Sequence, residues 1–180
     1  VATALMDCEG DKVNTLSRAL NEDLAKMLER VETDTTIKAL VIGSAKPDSF
    51  IVGADINMLK EMTSAADATR VAREGQKGFA RLGALHEEWG KPVVAAIHGQ
   101  ALGGGRELAL ACSMRICSDH KKTMLGFPEV QLGLFPGAGG TQRTPRLIGI
   151  ANALDLILTG RNLRPKKAKK LGLVDEVVPE

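Results

Sequence analysis

Apolar positions recur along this chain with two periods. Leu16, Leu20, Leu24, Met27, Leu28 and Val31 fall at helical spacing, so residues 16–31 are predicted to bury one helix face. Ala68, Val71, Ala72, Phe79, Leu82 and Leu85 predict a second helix over about 64–88. Between and after them come short, nearly continuous apolar runs: 38–43, 91–97, 114–118 and 173–178. Such runs suit strands covered on both faces, the usual state of parallel sheets. Further helices are predicted from Gly103 to Cys112, from Ala151 to Leu158, and from Pro165 to Gly172, the last with proline early and glycine late. Residues 126–143 are dense in Gly and Pro and read as structured loop. Strands alternating with helices predict an α/β layered domain. The sequence shows no repeat of solenoid period and no low-complexity tract.

The 180 residues are enough for one domain with a sizeable core, here taken as residues 1–180. The formal net charge of +2 demands neither nucleic acid nor an acidic membrane as partner. Late basic residues (Arg161, Arg164, Lys166, Lys167, Lys169, Lys170) read as a solvated face. Cys8, Cys112 and Cys117 lack metal-knuckle or disulfide spacing, so no metal site is expected from them, and a reducing compartment is. No run is long and apolar enough to predict a membrane span. With no Tyr and one Trp there is little to stack nucleic-acid bases. The first residue is Val, and the last ones follow closely on a strand-like run, which suggests a piece of a longer chain.

Gly103-Gly104-Gly105-Arg106-Glu107 carries the first chemical signal. Glycines allow close approach to backbone N–H groups, and a helix start leaves such groups unpaired. An oxygen gaining negative charge can be held there. Glu107 lies beside it, and Glu129 follows Phe127-Pro128. Read singly, each feature has a plainer explanation: a tight turn, a dipole-complementing carboxylate, a surface carboxylate. Asp55 likewise reads as a helix N-cap. Other motifs fail on inspection. Gly137-Ala-Gly-Gly-Thr-Gln-Arg143 lacks the lysine of a P-loop and the third glycine of a dinucleotide fingerprint. His86-Glu-Glu-Trp-Gly90 lacks the second histidine of a zinc protease, and no GxSxG elbow is present. His86, His98 and His120 are scattered and read as structural or surface residues, with His98 beside Gly99 the one to inspect.

The joint order of these stretches resembles the crotonase, or enoyl-CoA hydratase/isomerase, superfamily. The matching segments are residues 50–57, 91–99, 101–109 and 126–143, with Leu158-Thr-Gly160 and Gly172-Leu-Val-Asp-Glu-Val177 downstream. Segments 12–16, 44–47 and 54–58 look closest to the N-terminal, hydratase part of multifunctional fatty-oxidation alpha subunits, which continue into an NAD-dependent 3-hydroxyacyl-CoA dehydrogenase. The resemblance implies a ββα-superhelix of short strands and helices. Family domains continue into C-terminal helices, which this chain is expected to lack. It implies hydration of 2-enoyl-CoA in fatty acid β-oxidation. The N–H groups of Ala54 and Gly104 would form an oxyanion hole for the thioester carbonyl. Glu107 and Glu129 would be the two catalytic carboxylates, with Glu129 the main acid/base group and Glu107 orienting water. Gly137 would help hold that water, and Ala54, Asp55 and Ile56 would lie against the CoA adenine. The CoA thioester is then the substrate, with no cofactor in this chain and NAD confined to the absent dehydrogenase part. Expected partners are acyl-CoA and either further copies of the chain or a fatty-oxidation complex with a thiolase subunit. The expected location is the bacterial cytoplasm, or the mitochondrial matrix in a eukaryote. Arg106 departs from the uncharged residues usual at its position; it would either depress the Glu107 pKa or point away. Rival readings are an enoyl-CoA isomerase, an acyl-CoA-binding module without turnover, and a nucleotide site at residues 137–141.

Overall fold

A computed structural model describes residues 1–180. The chain starts with β1 (Ala2–Met6) and α1 (Arg18–Thr33) and then winds through repeated strand–strand–helix turns. The first turn is β2 (Leu40–Ser44), β3 (Ser49–Ile51), α2 (Ile56–Lys60) and α3 (Ala65–Glu87). The second is β4 (Val93–Ile97), β5 (Gln100–Leu102) and α4 (Gly104–Ala111). The third is β6 (Met114–Ser118) and β7 (Met124–Gly126), a 3-10 turn at Pro128–Leu132, then α5 (Gly140–Ile148) and α6 (Ile150–Thr159). β8 (Asn162–Leu163), α7 (Pro165–Lys170) and β9 (Glu176–Val178) close the path.

Consecutive strands go to different sheets. One sheet has the order β1-β2-β4-β6-β9 and is parallel throughout. The other has the order β3-β5-β7-β8, parallel except for its last pair. This is the ββα-superhelix that the resemblance implies. The turns are unequal: their first strands start at residues 40, 93 and 114. An architectural repeat of such uneven length leaves no fixed period in the sequence, so none was visible there.

The two long helices each have a local reason to start where they do. Ser17 accepts from the Leu20 N–H to cap α1, and Ser64 accepts from the Asp67 N–H to cap α3. Leu20, Leu28 and Val31 of α1 and Phe79, Leu82 and Leu85 of α3 are buried, the faces that the 3.6-residue period marked. Leu16 falls outside α1. It forms a lone parallel bridge with Ala54, with its N–H donating to Gly53 O at 2.8 Å. Buried Asn14 secures the same region: its amide donates to Met6 O, Ser44 Oγ and Phe50 O, and its Oδ1 accepts from Cys8 N–H. One core runs from Met6 through Phe50, Leu108 and Phe127 to Val174, and it includes Cys112 and Cys117. The late basic residues are all exposed.

One expectation is revised. The loop predicted over 126–143 contains the last residue of β7, a 3-10 turn and the start of α5. Gly139 in a left-handed conformation (φ 112°) opens α5, and Pro145 lies inside it. Packing of Gly140, Thr144 and Ile148 into the interior overrides the weak helix propensity of this segment. The strands of the second sheet are two or three residues long, too short for any hydrophobic period to register. No helix is long and apolar enough to cross a membrane.

Candidate active site

The glycine run at 103–105 is placed where side chains cannot go. Gly103 has φ 53° and precedes the first residue of α4. A Cβ on Gly105 would stand 2.3 Å from Ile51 O, so only glycine lets α4 rest on β3. A Cβ on Gly104 would come within 3.9 Å of Ala54 N, which brings the two implied oxyanion-hole residues to one place. Gly104 is the first residue of α4, where N–H groups have no partner within the helix. The Ala54 N–H makes no hydrogen bond either. The bridge from Leu16 fixes this backbone, with Asp55 N–H reaching Leu16 O at 3.5 Å.

Glu107 lies one turn into α4 and is only 3% exposed. Its Oε1 accepts from Ala138 N–H at 2.8 Å and from Gly140 N–H at 2.7 Å. Burial pushes its pKa up, while those two N–H groups and the nearby Arg143 pull it down. A Cβ on Gly140 would fall 2.9 Å from Glu107 Oε1 and 2.9 Å from Pro136 Cβ, so the approach of this N–H requires glycine. The segment once considered as a nucleotide loop thus spends its N–H groups on the chain's own carboxylate.

Glu129 enters from the 3-10 turn that Pro128 begins. Its Oε1 lies 3.1 Å from where a Gly103 Cβ would be, and its Oε2 is buried without a hydrogen-bond partner. Its pKa is pushed up to about 7, mainly by burial and further by the Glu107 charge. A carboxyl with a free oxygen that titrates near neutrality suits proton transfer.

Both glutamates line one large cleft of about 1640 Å³, together with Ala54, Gly104 and Gly137. Leu16, Leu24 and Met27 of the α1 side and Val71, Phe79 and Leu82 of α3 supply apolar wall. Gly137 O accepts from Gln76 Nε2 at 2.7 Å, which ties that loop to α3. Ile56 lines the cleft and is exposed. Asp55 does not line it: its carboxylate accepts from the Asn57 N–H at 2.7 Å and caps α2, the plainer of its two readings.

The remaining candidates lie elsewhere. None of the three histidines lines the cleft. His98 Nδ1 pairs with Ser118 Oγ at 3.0 Å, and its ring stacks on His120 at 4.8 Å. Arg106 points away from Glu107, fully buried, with Nη2 donating to Leu173 O at 2.5 Å. Burial lowers its pKa to about 9. Sequence reasoning did not find the roles of Ala138, Gly140 and Arg143. The only signal for them was the glycine density of 137–140.

Residues 4–180 match the family model described as enoyl-CoA hydratase/isomerase. A fatty acid oxidation complex subunit alpha from Shewanella amazonensis is 56% identical over 180 residues, which is all of this chain and 25% of that protein. The chain therefore spans about a quarter of the length of this relative. Among solved structures, an enoyl-CoA hydratase from Bacillus anthracis superposes with a TM-score of 0.83 at 38% identity, covering 92% of this chain and 61% of that one. An enoyl-CoA hydratase from Thermoplasma volcanium gives 0.87 at 32% identity, covering 99% and 68%.

Proposed function

This chain belongs to the enoyl-CoA hydratase/isomerase family, and from that premise we propose that its cleft hydrates 2-enoyl-CoA thioesters to 3-hydroxyacyl-CoA by syn addition of water. The observation that carries this reading is the meeting of a buried and a half-buried carboxylate of unlike environment in one cleft, beside a free Ala54 N–H and the start of α4.

The thioester carbonyl accepts from the N–H groups of Ala54 and Gly104. Conjugation lets electron density flow to that oxygen as water attacks, and the two donors hold the resulting enolate. Loss of one such donor commonly costs ~100- to 1000-fold in rate. Water sits between Glu107 and Glu129 near Gly137. Its oxygen bonds to the β-carbon as the C=C π bond opens. Glu129 takes the proton that water releases, and a proton passes from Glu129 to the α-carbon on the same face. The carboxyl ends as it began, and one water is added. Glu107 stays ionised and orients the water. Double-bond migration alone needs one proton-carrying group, so the second carboxylate favours hydration over isomerisation.

The loop at Ala54, Asp55 and Ile56 carries the CoA adenine by the same proposal, with Ala54 and Ile56 as its cleft-facing members. The reaction as drawn uses no metal and no cofactor. Oxidation of the 3-hydroxy product by NAD is assigned to a separate dehydrogenase part, and a thiolase subunit to the wider complex. The name of the Shewanella relative supports membership in such a complex, and its bacterial source supports a cytoplasmic site.

The test follows the conjugated-thioester absorbance of a 2-enoyl-CoA on mixing with the protein. The expected result is its loss, with 3-hydroxyacyl-CoA as product. CoA-ligand binding by calorimetry without turnover would instead support a binding module.

A further inference from the structure

Two of three consecutive peptide planes donate to Glu107, and the middle one is held by its carbonyl to Arg143. The N–H of the Gly137–Ala138 plane and the N–H of the Gly139–Gly140 plane both donate to Glu107 Oε1, at 2.8 and 2.7 Å. The plane between them, Ala138–Gly139, presents its carbonyl to Arg143, whose Nη1 donates to Ala138 O at 3.1 Å. Arg143 also fixes the next residue through its own backbone, its N–H donating to Gly139 O at 2.9 Å. Gly139, at φ 112°, lies between the middle carbonyl and the second donor, and a Cβ there would fall 2.2 Å from Arg143 Nη1. Successive N–H groups turned inward in this way form an anion-holding concavity.

We propose that Arg143 is a positioning residue for Glu107: its guanidinium holds the middle carbonyl so that the N–H groups on either side both meet the carboxylate. The proposal rests on the reading of Glu107 as the water-orienting partner of Glu129. If the middle plane flips, Ala138 O turns toward Glu107 and repels it, and the flanking donors lose their alignment. The guanidinium also adds a positive charge beside a buried carboxylate that burial alone would drive toward its neutral form. The charged groups bearing on Glu107 are Arg143 from α5 and Glu129 from the 3-10 turn. From α3 comes the neutral Gln76 on Gly137 O, with Arg73 and Glu74 in the wider cleft wall, as is Arg146 of α5. Arg106 is turned to Leu173. Arginine suits the task better than lysine, because a planar fork keeps a fixed direction toward one carbonyl.

The experiment compares the unaltered chain with Arg143→Gln and Arg143→Lys. Glu side-chain carboxyls are followed by carbon-13 titration, with Glu107 assigned from the spectrum of Glu107→Gln. Amide hydrogen exchange is followed at Gly140. In Arg143→Gln the Glu107 midpoint rises by about 1 pH unit, and Gly140 N–H exchange quickens by roughly tenfold or more, about 1.4 kcal/mol of lost protection. In Arg143→Lys the midpoint stays near that of the unaltered chain while exchange is still faster, since charge is kept and direction is lost. Where Arg143→Gln does not fold, Arg143→Lys decides by its exchange rate. An unchanged midpoint and unchanged exchange in a folded Arg143→Gln overturns the proposal. Neither readout needs turnover. Absence of hydration by the unaltered chain would therefore sink the functional reading while leaving this one to be judged. Where hydration is present, the acid limb of its pH profile moves up with the Glu107 midpoint.

Discussion

Glu107 and Glu129 face one cleft from two differently built regions. Glu107 stands on a helix that glycine packs onto β3, and two backbone N–H groups hold one of its oxygens. Glu129 stands on a 3-10 turn and keeps a buried oxygen with no partner at all. Burial raises both pKa values; two loop N–H groups and the Arg143 cation resist the rise at Glu107, whereas at Glu129 only its own backbone N–H does and the Glu107 charge adds to it. Under the proposed hydration, this difference divides the work between them. A carboxylate held by fixed donors is a stable acceptor for orienting water. A carboxyl left short of donors near neutrality exchanges protons cheaply. The two charges also feel each other, so they titrate as a linked pair rather than as two strangers.

The largest effect that bears on this contrast is Glu129→Gln. It keeps shape and removes the proton carrier, and hydration should fall by ~100- to 10,000-fold, measured as the rate of loss of enoyl-CoA absorbance. A fall much smaller than that would shift the acid/base role to Glu107. Next comes Gly140→Ala. Its Cβ would collide with Glu107 Oε1, Glu107 Cγ and Pro136. Displacing a carboxylate by about 1 Å can cost ~100-fold, so kcat should drop toward that range while the fold survives by circular dichroism. An unchanged kcat would mean that the backbone cradle does not matter.

A smaller effect concerns stability. Glu129 titrates near 7 in the folded chain and near 4.5 as a free carboxyl. Between those values the folded state holds more protons than the unfolded one. Stability therefore falls as pH rises from about 4.5 to about 7, and the loss is complete above that. Glu129→Gln removes this penalty. The variant should gain more in Tm over the parent at pH 8 than at pH 4.5. An equal gain at both pH values would contradict the buried, unpartnered state of that carboxyl. The gentlest test is Asp55→Ala, which removes the cap of the five-residue α2. It should cost roughly 1 kcal/mol, read from denaturant midpoints, and leave kcat within about twofold.

How much of this was legible in sequence follows the same division between regions. β2, β4 and β6 are buried strands of five residues and stand out as apolar runs. β1 alternates in burial, yet its Ala2, Thr3 and Ala4 offer too little contrast to mark a period. β3, β5 and β7, which position the site, are set by pairing between distant segments. The carboxylates themselves were legible from their motifs, and both line the cleft. The cradle was not, because it depends on residues 138–143 folding back onto residue 107. No periodicity records which carbonyl an arginine will meet. Arg106 shows the reverse: its sequence position beside Glu107 suggested an influence, and helical geometry turns it to the other side, onto Leu173 O.

The central claim is that one carboxyl of the pair moves protons and the other stays ionised. Site-resolved carbon-13 titration of Glu107 and Glu129 in the unaltered chain tests it directly. The account predicts that Glu129 titrates near 7, that Glu107 titrates below it, and that Glu107→Gln lowers the Glu129 midpoint by removing a neighbouring negative charge. A Glu129 midpoint at the ordinary value near 4.5, or a Glu107 midpoint above that of Glu129, would contradict it.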